Sequence, residues 1–166
     1  MGVQEEAALA LAEAGDSTRA QAISDELEKR FPENSLVKMA LPTIRAAIEL
    51  DRNNPARAIE LLPPTTAFEL LPNLLGSAYI RGRACLLARR GAEAATEFQK
   101  VVDQRIVLGV NRRGAVAHLW LARAHVVQGD TAKARAAYQD FLTLWKDADL
   151  DIPILIAAKS EYAQLK

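Results

Sequence analysis

One cysteine, Cys85, and two histidines, His118 and His125, in 166 residues exclude an internal disulfide and a four-ligand zinc site built from thiol and imidazole alone. Aromatic residues make up only 5% of the chain, Val-Ile-Thr runs are scarce and no hairpin signal occurs, so a strand-built fold has little to form from. The longest strongly apolar stretch, Ile152 to Ala158, is far too short to span a bilayer, and Met1 to Glu6 lacks the basic-then-apolar layout of a signal peptide. The chain itself is therefore expected to lie outside the membrane, whether it is cytoplasmic or part of a membrane-anchored parent. Catalytic signatures are missing too. Gly82 sits in a helical Arg-Gly-Arg-Ala context and Gly109 in a short loop, so neither opens a phosphate-binding strand-loop-helix. Ser17, Ser24, Ser77 and Ser160 lack a glycine-flanked nucleophile elbow. No catalysis and no cofactor are expected.

What is present is half apolar and rich in alanine, leucine, glutamate and arginine, a composition that favours helix over strand and suffices for a core. Net charge is zero but unevenly spread: residues 1–75 carry 12 acids and 7 bases, residues 76–146 carry 5 and 12, and residues 147–166 carry 4 and 2. The basic middle lacks interleaved aromatic stacking residues, so nucleic acid is not the expected partner. His118 and His125 lie two turns apart on one predicted helix, too far to chelate one ion directly, and read as packing residues. Cys85 reads as an inert core thiol.

The sequence repeats itself. In Ala115 to Lys146, one predicted helix runs through Leu119, Ala122 and His125, Gln128-Gly129-Asp130 breaks it, and a second helix carries Ala134 and Tyr138. Gly129 suits a left-handed cap, Asp130 suits the next N-cap, and Ala122 and Ala134 let the two helices approach closely. The opening has the same order: Ala8 and Leu11, Gly15-Asp16, Ala20, then Phe31-Pro32 as a stop. A third copy places Ala46 before Asn53-Asn54-Pro55 and Ala58 after it, with Pro63-Pro64 ending it. The remaining copy has Gly82, Ala84 and Cys85 before the turn and Ala94, Phe98 and Val101 after it, with Gly91 two residues later than the pattern asks. The units begin near 1, 39, 75 and 115, giving offsets of 38, 36 and 40 residues. Arg105 to Arg113 shows no helical periodicity. A last helix, about Pro153 to Leu165, has Asp151 as its expected cap.

These residues, Gly15-Asp16, Ala20 and Pro32 in the first unit and Leu121-Ala122, Gly129-Asp130, Ala134 and Tyr138 in the last, resemble the tetratricopeptide repeat family. Arg81, at a normally apolar position, and Pro42, inside a helix, depart from that pattern. The stretches 78–84, 97–101 and 138–149 further resemble the C-terminal repeat region of bacterial eukaryotic-like serine/threonine kinases and related regulators. The resemblance implies an all-α fold, helical over well more than half its length: an α-solenoid of about four helical hairpins (near 1–34, 39–64, 75–104 and 115–148) with a capping helix at 152–166, in a single domain.

It also implies a binding surface made by the first helix of each hairpin, lined by Glu5 and Leu9, Thr43 and Ala47, Tyr79 and Arg83 with Leu86, and Leu119 and Arg123 with Val126. The candidate partner residues are Tyr79, Arg83, Leu86, Leu119, Arg123 and Val126. Arg83 and Arg123 fall at equivalent points and are either a grip for a carboxylate or phosphate, or members of ordinary internal salt bridges. The expected function is a non-catalytic scaffold for a protein or peptide partner, a regulatory module of a signalling protein. A structural or homo-oligomerising segment and a nucleic-acid binder are the alternatives.

Overall fold

The structure is a computed structural model that describes residues 2–62, 75–103 and 112–165. Among these residues it has nine α-helices and no strand: α1 (Val3–Glu13), α2 (Ser17–Arg30), α3 (Ser35–Asp51), α4 (Pro55–Leu61), α5 (Leu75–Leu87), α6 (Gly91–Asp103), α7 (Arg112–Gln128), α8 (Thr131–Leu144) and α9 (Pro153–Gln164). The protein is an all-α helical repeat, as its sequence leads one to expect. The Pro63-Pro64 stop and the aperiodic stretch up to residue 111 lie outside the described residues. The chain divides into two compact units, Met1–Ala84 and Cys85–Lys166, with the boundary inside α5.

In the first unit α1 packs on α2 and α3, and α3 packs in turn on α2 and α4. Helix starts follow local chemistry. The Asp16 carboxylate accepts from the Arg19 amide at 3.1 Å, and the Asn34 side chain accepts from the Leu36 and Val37 amides, which occupies donors that the first turn leaves unpaired. Pro42 does not break α3, which continues to Asp51. The helix is instead held by its apolar face, where Val37, Leu41, Ile44 and Ile48 are buried. Leu27, Val37 and Leu41 form a cluster joined by Ile23. Arg81, the polar intruder in the pattern, is buried and directs Nη1 at the Leu62 carbonyl, 3.5 Å away.

In the second unit α6 packs on α7, α7 on α8 and α8 on α9. Phe98, Leu119, Tyr138 and Phe141 are fully or nearly fully buried there, each worth roughly 1.5–3 kcal/mol of removed apolar surface. Trp145 ends α8 and donates from Nε1 to the Ala115 carbonyl at 2.8 Å, tying the end of the α7–α8 hairpin to its beginning. Asp130 caps α8 by accepting from the Lys133 amide at 3.0 Å. Helix α9 starts differently from its sequence reading: the residue at its N-cap is Ile152, which makes no side-chain cap, and not Asp151. Pro153 at the first position has no amide hydrogen to satisfy, so the missing carboxylate cap costs little.

The four turns share one hydrogen-bond pattern. The amides of Asp16, Asn54, Arg90 and Asp130 donate to the carbonyls of Leu11, Glu49, Cys85 and His125, five residues back. The residue before each, Gly15, Asn53, Arg89 and Gly129, has φ of +87°, +58°, +60° and +83°. This left-handed closure caps the preceding helix and sends the chain back antiparallel. Its positions recur at spacings of 38, 36 and 40 residues. Around each turn the small residues Ala8 and Ala20, Ala46 and Ala58, and Ala122 and Ala134 are wholly buried, as is Ala94 after the third, and Gly82 before it is buried. At the third turn Arg89 takes the left-handed conformation, two residues before Gly91, as the late position of that glycine in the pattern implies. Gly91 is the first residue of α6 and serves another need. A Cβ there would lie 2.6 Å from the Gln128 amide nitrogen and 2.9 Å from the Ala124 carbonyl oxygen, both backbone. Glycine is what allows α6 to start against the end of α7.

These two roles separate under mutation. Gly129→Ala meets nothing within 4 Å and should lose about 1 kcal/mol through its left-handed backbone alone. Gly91→Ala should lose roughly 2 kcal/mol or more, because rigid backbone and not a side chain must move. Urea denaturation of both variants checks the order; equal losses would remove the close-approach argument.

Candidate functional site

The small-residue stripe decides where the other side chains of each first helix point. Tyr79 and Leu119 lie three residues before Gly82 and Ala122, on the same face. That face is packed, and Tyr79 and Leu119 are 6% and 0% exposed. Neither offers a side chain to a partner, which corrects their reading as surface anchors. Glu5, Thr43, Leu9 and Ala47, at the equivalent points, are buried as well. Arg83 is half-buried in the first unit and has internal partners. Leu86, Arg123 and Val126, by contrast, come together in the second unit along one cleft.

The cleft has a volume of about 480 Å³ and is bounded by the end of α5 and its turn, by α7 and α8, and by the last turn of α9. Its apolar lining is Leu86, Val126, Val127 and Leu165, with Val126 44% exposed. Its polar lining is Arg89, Arg123, Tyr138, Glu161 and Gln164. The sequence reading did not include α9 here. Glu161 is the only acid on that helix, which was the available signal, but its partner depends on how α9 docks.

Arg123 grips Glu161 with both ends of its fork. Nε donates to Oε2 at 2.9 Å and Nη2 to Oε1 at 2.7 Å. The Tyr138 hydroxyl donates to the same Oε2 at 2.7 Å. The Arg123 guanidinium also lies 4.7 Å over the Trp120 ring, itself stacked on Phe98 at 6.2 Å. Bidentate geometry and an aromatic bed give this ion pair more weight than a surface pair has. Burial works against the Glu161 charge, but the hydrogen bonds from Arg123 and Tyr138 and the Arg123 charge outweigh it, and its pKa falls below the ordinary value. Arg123 is likewise opposed by burial yet held above its usual value by Glu161. Burial, then the hydrogen bond and charge of Glu161, push the Tyr138 hydroxyl well up. Arg123 is thus engaged internally, the second of the two roles its sequence position allows.

Further contacts fasten α9. Arg135 donates to the Leu165 carbonyl and stacks over Tyr162 at 5.6 Å, and Gln139 donates to the Tyr162 hydroxyl at 2.9 Å. Only Leu155 and Ala158 of this helix are buried, so its attachment near the cleft is mainly polar. Arg89, on the turn after α5, is exposed and makes no side-chain hydrogen bond or ion pair among the described residues. His118 and His125 do not converge: His118 Nδ1 lies 3.8 Å from Asp140, and His125 Nδ1 3.3 Å from Gln128. No group of three or more metal-ligating side chains occurs among the described residues, and no helix among them is long and apolar enough to cross a membrane. Cys85 is a buried free thiol.

Because the folded Glu161 binds a proton less readily than the unfolded one, its contribution is complete above the ordinary glutamate range and is lost as pH falls through the lowered folded value. Glu161→Gln should cost about 1–2 kcal/mol at pH 7, a figure reduced for the carboxylate's partial exposure. The variant should also lose less stability than the parent between about pH 5 and pH 3. Thermal denaturation across that range is the measurement; parallel pH profiles would show that the brace contributes nothing.

Residues 116–148, the span of α7 and α8 with Trp145, match the family model of the tetratricopeptide repeat. No curated protein and no solved structure matches the chain. Tetratricopeptide repeats are a non-catalytic family of interaction modules that generally mediate contacts between proteins. In residues 116–148 the chain is therefore similar to a tetratricopeptide repeat, set in a protein that is all-α and built of helical hairpins.

Proposed function

We propose that the protein is a non-catalytic scaffold that binds a protein or peptide partner, with its four hairpins acting as one domain. The observation that carries this reading is the repeated hairpin itself, with its common left-handed turn and its family match at 116–148. Such hairpins spend their chemistry on packing and leave helix faces and inter-helix clefts as the functional surface. The second unit has such a cleft, with aliphatic and polar groups in its lining and room for several side chains. The resemblance of residues 78–84, 97–101 and 138–149 to kinase-linked repeat regions favours a regulatory module of a larger signalling protein, such as a serine/threonine kinase.

A second reading, self-association, is favoured by one observation: Leu150 and Ile156, just before and within α9, are 75% and 53% exposed.

A photo-crosslinking residue at Val126 should capture a partner polypeptide in extract of the source cell, whereas one at exposed Lys29, in the other unit, should not. Capture at neither position, or at both equally, would count against a partner site in the second unit. For the alternative, light scattering of the purified chain should show a monomer; a dimer abolished by Leu150→Ser with Ile156→Ser would transfer the function to self-association.

A further inference from the structure

The chemistry of the cleft narrows the partner. Its charged lining consists of Arg89, Arg123 and Glu161. Arg123 and Glu161 neutralise each other at 2.7 Å, and Tyr138 donates its hydroxyl to the same carboxylate. These three groups are consumed in holding α9 and present little uncompensated charge to a visitor. Arg89 differs. It is exposed at the turn between α5 and α6, borders the same cleft, and is the one lining cation without an ion pair among the described residues. Beside it the walls are aliphatic: Leu86, Val126, Val127 and Leu165. An aliphatic pocket with a single available guanidinium complements a group that is itself aliphatic on one side and anionic on the other.

We infer that this cleft binds a peptide segment in which a leucine-like side chain is followed by a carboxylate, the side chain entering among Leu86, Val126 and Val127 and the carboxylate pairing with Arg89. This rests on the scaffold reading and gives its partner a chemistry. A peptide suits the site better than a polynucleotide, because the lining offers one available cation instead of the row that a phosphate backbone needs. The brace of Arg123, Tyr138 and Glu161 acts here as a positioning element, since it holds the last turn of α9, with Gln164 and Leu165, as a wall of the cleft.

The experiment uses the full chain and the probe acetyl-Leu-Leu-Asp-Glu-amide, titrated while backbone amide resonances are recorded. Saturable shifts are expected at Arg89, Val126, Val127 and Leu165. The isosteric probe acetyl-Leu-Leu-Asn-Gln-amide and the polar probe acetyl-Ser-Ser-Asp-Glu-amide should each bind at least fivefold more weakly. Arg89→Gln should weaken the first probe at least fivefold and Arg89→Lys by less, with circular dichroism and melting temperature confirming that both variants fold. Equal binding of the uncharged probe, unchanged affinity in Arg89→Gln, shifts confined to other surfaces, or competition by a random oligonucleotide would each overturn the inference. So would the absence of saturable shifts at millimolar probe. If crosslinking at Val126 still captures a partner in the Arg89→Gln variant, the scaffold reading survives the loss of this one.

Discussion

Everything in this protein follows from how closely two helix backbones are allowed to approach at each hairpin. Ala8, Ala46 and Ala122 on the first helices and Ala20, Ala58, Ala94 and Ala134 on the second are wholly buried, because a larger side chain at any of them would part the helices. That distance is held by a turn too short to tolerate variation. One residue at positive φ and one amide bonded five residues back fix both the exit direction and the cap of the preceding helix.

The third hairpin shows how the constraint is met when the sequence departs from the pattern. Three of the turns give their left-handed position to glycine or asparagine, residues that bear it cheaply, but the third gives it to Arg89. The strain of roughly 1 kcal/mol is tolerated there. Glycine is instead placed two residues on, at Gly91, where the backbone of α7 passes within the space of a methyl group. One consequence is a charged side chain on a turn where the other hairpins carry a small or neutral one, next to an aliphatic cleft. The feature that disturbs the repeat is thus also the one that gives this surface a chemistry of its own.

Helix α9 is held in another way. Its docking relies on a forked ion pair, a tyrosine hydroxyl and an arginine bonded to its last carbonyl, with only two buried side chains. Polar attachment of this kind is directional and weakens with acid, whereas the alanine-lined contacts within the hairpins do not. The second unit therefore combines an apolar core with a final helix fastened in part by the ionised Glu161.

The sequence by itself determined the helical class, the hairpin positions and the buried small residues, because each has a local signature: alanine at fixed distances from a turn, a cap such as Asp16 or Asp130, and a stop such as Pro32. The pattern also placed the third turn two residues before Gly91, where Arg89 takes positive φ, but not the need for glycine at Gly91, since that depends on α7 lying against α6. Of the candidate surface residues, Leu86, Arg123 and Val126 lie together as a first-helix face implies, while Tyr79 and Leu119 are buried. Helical spacing states which residues share a face but not whether a neighbouring helix covers it. The tertiary structure alone decided that Arg123 is spent on Glu161, 38 residues further along, and that Arg89 is left available. An ion pair across that separation has no periodicity to announce it, and only the docking of α9 brings the two charges together.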